Sequence, residues 1–93
     1  MTRMPAIRMV VEYDKKFLKQ YDKADPKIRL AFKKRRRLFQ ENPFDPQLRN
    51  HALSGRYHGF RSINITGDWR ALYRAKGKLV IFEALGTHSQ LYH

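Results

Sequence analysis

The sequence predicts an α+β domain in the order βααβββ, with two N-terminal helices packed on one face of a small, mostly antiparallel four-stranded sheet. Three observations predict it. A β-rich stretch opens the chain at residues 7–13. Two segments with apolar residues at helical spacing follow, and the last third alternates apolar with polar around Gly67 and Gly77. Strands gathered after helices point to segregated layers rather than to alternating βαβ units.

Residues 7–13 combine β-branched and aromatic side chains with polar alternation, and so read as a strand. Asp14 is placed to cap a short helix that carries Phe17, Leu18 and Tyr21 on one face. Asp25-Pro26 is an acidic cap followed by proline at the first helical position, a strong helix start. From there Ile28, Ala31, Phe32, Leu38 and Phe39 recur at steps of three and four, with Arg35 on the same stripe, until Pro43 ends the helix. Asn42 to Pro46 is a loop by its two prolines. Residues 60–65 alternate, placing Arg61, Ile63 and Ile65 on one face and Phe60, Ser62 and Asn64 on the other. Turns at Thr66-Gly67 and Lys76-Gly77 then join strands over residues 69–74 and 78–85 into a meander. The sheet face away from the helices is expected to stay open for binding.

A chain of 93 residues with 42% hydrophobic content makes one domain, residues 1–93, with a modest core of its own. The absence of cysteine excludes a disulfide scaffold, a thiolate nucleophile and Cys-based zinc sites. The longest apolar run, residues 79–82, is far too short to span a membrane, and the N-terminus lacks the apolar run of a signal peptide. A cytoplasmic protein with no membrane contact is expected. Twenty Lys and Arg against eight Asp and Glu give a net charge of +12, which points to a polyanion or an acidic protein segment as partner. Residues 1–50 hold 14 of these cations and residues 51–93 the other six. The densest run, Lys33 to Arg37, is either a solvated face or a contact for phosphate or an acidic partner.

All four histidines and the single tryptophan lie in the last 43 residues. Cleaving RNA without metal requires a base for the ribose 2′-hydroxyl, an acid for the departing 5′-oxygen and a cation for the phosphorane between them. Histidine suits either proton role, because its unperturbed pKa lies near ~6.5. His51 precedes the meander, Asp68 and Trp69 open its second strand, and His88 follows its third, beside a Gly86 that permits an unusual backbone. Taken singly, each has a structural alternative: Asp68 as a turn former, Trp69 as core, His51 as a loop hydrogen-bonder. No metal and no cofactor are expected, since His51 and His58 lack the spacing of a close helical ligand pair and carboxylates are scarce. His93 is terminal and expected to take no part.

Together these residues resemble the RelE/ParE superfamily of type II toxins, most closely its YafQ-like branch of mRNA interferases. The resemblance runs over the whole chain in element order and is most specific in residues 51–92. It is carried by His51-x-Leu53-x-Gly55, Gly59-Phe60-Arg61, Asp68-Trp69, Tyr73, Gly86-Thr87-His88 and Leu91-Tyr92. It implies an endoribonuclease that enters the A site of the 30S ribosomal subunit and cuts mRNA there. It also implies a cognate acidic antitoxin that wraps the basic surface. By the same resemblance His51, Asp68 and His88 are the acid–base residues, and Tyr92 stands where the branch carries an aromatic ring and RelE a catalytic tyrosine. Trp69 supports the site or stacks on mRNA, with Tyr57, Arg61, Asn64 and Arg70 as further substrate contacts.

Two positions depart from the branch. Asn64 stands where it carries another histidine, and Ala84 where it carries a catalytic arginine on the last strand. Asn64 hydrogen-bonds but does not shuttle a proton at neutral pH, and losing the arginine's charge costs ~10²–10³ in rate unless a neighbour replaces it. Arg61, Arg70 and Arg74 are the candidates, of which Arg61 shares a face with the core residues Ile63 and Ile65. Two alternatives to an active nuclease stay open: a weakened homologue that binds RNA or the ribosome, and a ParE-like gyrase inhibitor.

Overall fold

The structure is a computed structural model that describes residues 9–92. Its first strand, β1, spans Val10–Tyr13, so the start expected at Ile7 and Arg8 lies outside the described residues, as does His93. Helix α1 (Lys15–Lys23) begins where the Asp14 side chain accepts from the Lys16 N–H. Helix α2 (Pro26–Glu41) begins where Asp25 accepts from Lys27, with Pro26 in the first turn. Both caps satisfy amide donors that a helix start leaves open. A 3₁₀ turn at Pro46–Leu48 leads to β2 (His51–Ala52), and a second at Gly55–Tyr57 leads to β3 (Arg61–Thr66). Strands β4 (Trp69–Lys76) and β5 (Leu79–Thr87) complete the meander, and a single helical turn, α3 (His88–Leu91), ends it.

The sheet has five strands in the order β1-β5-β4-β3-β2, one more than expected, and it is mixed. β1 runs parallel to β5, with Val10 beside Leu79 and Tyr13 beside Phe82, whereas the other three pairings are antiparallel. The extra strand is the two-residue β2, which adds His51 opposite Ser62 and Ala52 opposite Arg61. Where β1 stops, the edge of β5 is satisfied from the helix layer: the Leu85 N–H donates to Gln20 Oε1 at 2.8 Å.

One sheet face carries the core. Ile63, Ile65, Ala71, Tyr73, Val80, Phe82 and Leu85 pack beneath Phe17, Phe32 and Phe39 of the two helices. Phe32 and Phe82 meet edge-on at 5.2 Å, as do Phe39 and Tyr73 at 4.9 Å, the geometry that aromatic quadrupoles favour. A register shift between Leu72 and Tyr73 leaves Glu83 as an extra residue in β5. This bulge keeps both Phe82 and Leu85 on the helix face while Ala84 joins the other.

That other face is not wholly open, contrary to expectation. α3 folds over it, and Leu91 is buried with Leu72 and Ala84 against Leu53, Tyr57 and Tyr92. Within the basic run of α2 the cations divide. Arg35 donates to the Ile65 carbonyl and to Gln47, and Arg36 to the Tyr13 hydroxyl, while Lys33, Lys34 and Arg37 face solvent. Among the described residues no helix is long and apolar enough to cross a membrane.

Candidate active site

Antiparallel partners point to the same side of a sheet, so the register decides which side chains share a face. His51 pairs with Ser62, Ser62 with Leu72 and Leu72 with Ala84, which places His51 on the face away from α1 and α2. In the adjoining row Asn64 pairs with Arg70 and Arg70 with Gly86. The face therefore carries His51 on β2, Asn64 on β3, Arg70 on β4 and, just past the end of β5, His88. His51 and His88 are three strand spacings apart across the sheet, about 14 Å laterally, and His88 also lies past Ala84, the β5 residue in the row of His51. Asn64 and Arg70 are on the strands between them.

His88 is held from two directions. Its N–H donates to the Asp68 carbonyl at 3.0 Å, which brings the β3–β4 turn against the start of α3. Its ring lies 4.7 Å from that of Tyr92, which in turn meets Tyr57 edge-on at 5.6 Å. α3 itself is fixed by a capping box, in which the Gln90 N–H donates to Thr87 Oγ1 and the Thr87 N–H to Gln90 Oε1. Gly86 matters here for space, not for the unusual backbone expected of it, because its φ is not positive. A Cβ at residue 86 would stand 3.1 Å from Gln90 Oε1 and 3.3 Å from the Leu91 side chain, so any side chain there requires the Gln90 and Leu91 side chains to give way slightly.

His51 is exposed, with its Nδ1 at 2.8 Å from the Arg49 carbonyl oxygen. Arg70 is half-buried, and its Nη1 donates to the carbonyls of Gly67 (2.9 Å) and Trp69 (3.0 Å), which curls the guanidinium over the β3–β4 turn. Arg74 is engaged differently: its Nε lies 2.6 Å from Glu83 Oε1. Asp68 is exposed in the turn, and it meets His88 through its backbone carbonyl.

Three residues expected to touch substrate lie elsewhere or are otherwise committed. Trp69 packs on the helix side, against the core and beside Gln20 and Ala24 of the α1 end. Arg61 also points to that side, where its Nε donates to Asn50 Oδ1 at 2.9 Å and its guanidinium sits 5.5 Å from the Phe44 ring centre. Tyr57 is on the histidine face, but its hydroxyl donates to the Leu91 carbonyl, a support for α3. A hollow of about 360 Å³ lined by Phe39, Phe44, Arg61, Tyr73 and Val80 is likewise on the helix side, remote from the histidines. Burial there pushes the Tyr73 hydroxyl above the ordinary tyrosine range, opposed by the hydrogen bond from Asn50 and the charge of Arg61. Sequence reasoning missed Arg49 and Asn50 altogether; no glycine marks the left-handed backbone at Arg49 (φ 46°).

The family model described as the bacterial toxin of type II toxin–antitoxin systems, YafQ, matches residues 7–93. The mRNA interferase toxin YafQ of Escherichia coli strain K12 is 34% identical over 50 residues, 54% of this chain and 54% of that relative. The chain thus spans about half the length of the curated relatives it matches. Its fold is similar to the crystal structure of YafQ from E. coli strain BL21(DE3), with a TM-score of 0.79 and 26% identity over 92% of this chain and 100% of that one. It is similar also to a chain in the crystal structure of the E. coli DinJ–YafQ toxin–antitoxin complex, with a TM-score of 0.77 and 26% identity over 94% of this chain and 100% of that one. With the match running from Ile7 to the end of the chain, this protein belongs to the YafQ family of bacterial type II toxins.

Proposed function

We propose that this chain is the toxin of a type II toxin–antitoxin system: an endoribonuclease that cuts mRNA on the ribosome in the cytoplasm, using its own side chains for proton transfer. The observation that carries the reading is the succession of His51, Asn64, Arg70 and His88 across one face of the sheet. His51 takes the 2′-hydroxyl proton as the O2′ attacks phosphorus. His88, as the imidazolium, protonates the 5′-oxygen as the P–O5′ bond breaks, leaving a 2′,3′-cyclic phosphate and a 5′-hydroxyl. Arg70 stabilises the phosphorane, and Asn64 hydrogen-bonds a phosphate oxygen or a base edge. Tyr92 and Asp68 flank His88 and hold the departing nucleotide and the imidazolium charge. The exposed cations of α1 and α2 meet rRNA or, in the neutralised state, an acidic antitoxin.

Primer extension on a translated message tests this directly. Breaks at defined positions are expected in the presence of the chain, and their persistence in the His51→Ala, His88→Ala double variant would remove the assignment. A second reading, an RNA- or ribosome-binding homologue with weakened cleavage, is favoured by one observation. Ala84 is buried beneath Leu91, so residue 84 offers the site no charge. Co-sedimentation with ribosomes without breaks in the message would establish it.

A further inference from the structure

The hydrogen bond between His51 and Arg49 carries chemical information. A carbonyl oxygen only accepts, so the Nδ1 that sits 2.8 Å from the Arg49 oxygen is the nitrogen that bears the proton. In the neutral imidazole Nε2 is then unprotonated, and among the described residues it has no protein partner. The carbonyl is aimed by an unfavourable backbone. Arg49 has φ 46° and ψ 43°, and among the described residues it is the one non-glycine position with positive φ.

Such a conformation persists where its surroundings over-determine it. Both neighbours of Arg49 are anchored. Leu48 is fully buried in the core. Asn50 makes three side-chain hydrogen bonds, donating from Nδ2 to the Pro43 carbonyl (2.9 Å) and the Tyr73 hydroxyl (2.7 Å) and accepting at Oδ1 from Arg61 (2.9 Å). Between these anchors the chain makes its left-handed turn and presents the Arg49 oxygen to His51.

We infer that the Leu48–Arg49–Asn50 segment is a positioning device that holds His51 in its Nδ1–H form and so presets it as the base of the cleavage reaction. Arg49 acts through its backbone, and Arg61 and Tyr73 act from the opposite sheet face through Asn50. The base assignment rests on the function proposed above; the tautomer does not.

Long-range ¹H–¹⁵N correlation spectra of the ¹⁵N-labelled full chain at mildly alkaline pH read the tautomer, with the His51 signals identified by their loss in His51→Gln. Expected is a protonated Nδ1 and an unprotonated Nε2; a His51 protonated on Nε2, the form free histidine prefers, overturns the inference. Arg49→Gly, which tolerates positive φ, retains the Nδ1–H form. Arg49→Val and Asn50→Ala shift it toward Nε2–H, and a thermal melt identifies any variant that fails to fold. In a translation extract Arg49→Val lowers kcat about fivefold, the loss of one ordinary hydrogen bond. Unchanged kcat together with a shifted tautomer overturns the base role. If the wild-type chain cuts no message, the proposed function falls while the tautomer result still decides the positioning claim.

Discussion

The hydroxyl of Tyr57, on the 3₁₀ turn ahead of β3, donates a hydrogen bond to the backbone carbonyl of Leu91, 34 positions further along the chain. Leu91 ends the helical turn that His88 begins, and its side chain is buried beneath Tyr57 and Tyr92. The bond therefore ties the placement of His88 and Tyr92 to the segment ahead of β3, on the same face of the sheet.

Tyr57→Phe keeps the ring contacts and removes only this donor. A stability loss of about 1 kcal/mol is expected, with faster amide exchange at Tyr92, whose N–H closes α3 onto the His88 carbonyl. Cleavage falls with it. Slower cleavage with unchanged exchange would instead return Tyr57 to the role of a direct RNA contact.

Ser62 makes the opposite case. Its hydroxyl is fully buried in the row between His51 and Leu72, and among the described residues it has no hydrogen-bond partner. A buried polar atom without a partner costs its desolvation outright, so Ser62→Ala is expected to stabilise by about 1 kcal/mol. In a domain of this size that raises Tm by about 4–8 °C, measurable by calorimetry. A lowered Tm would mean that the hydroxyl is satisfied in solution.

Much of this architecture was legible in the sequence because periodicity and caps are local. Asp14, Asp25 and Pro26 mark both helix starts, and the alternation of Arg61, Ile63 and Ile65 gives the correct face for Arg61. The parallel pairing of β1 with β5 was not legible, since alternation is the same whichever way a neighbour runs. Nor was β2, because a two-residue strand has no period. Trp69 illustrates the limit at the site. Its one-residue offset from Arg70 puts it on the helix side, a consequence of register that residue type does not reveal. Arg49 gave no signal because its left-handed turn is imposed by the burial of Leu48 and the bonds of Asn50, both tertiary.

Tyr73 links stability to alkaline pH. Burial raises its pKa above the ordinary 10.0, against the opposing pull of Asn50 and Arg61. As pH rises past 10 the unfolded chain loses this proton first. The contribution is thus fully present below that value and is lost as pH climbs through the higher folded value. Urea midpoints of the wild type should fall as pH rises above about 10, and those of Tyr73→Phe less steeply. The variant also loses the bond to Asn50 and so starts about 1 kcal/mol lower at neutral pH. Parallel curves would show that other groups dominate the alkaline transition.

The cation of the site is the last point that mutation can settle. Arg61 is on the helix face with Asn50, and Arg74 is paired with Glu83, so its charge is already met. Arg70 lies opposite Asn64 on the histidine face, and it donates to two neutral carbonyls, those of Gly67 and Trp69, which orient the guanidinium without neutralising it. Arg70→Ala should therefore lower kcat for message cleavage by ~10²–10³, with a smaller change in KM. Arg70→Lys should recover part of that loss, because it restores charge but not the planar fork. Arg74→Ala breaks a partly exposed ion pair and should change stability by about 1 kcal/mol and leave most of kcat. Equal losses for Arg70→Ala and Arg74→Ala would mean that the face supplies its positive charge collectively, and no single arginine would then meet the phosphorane.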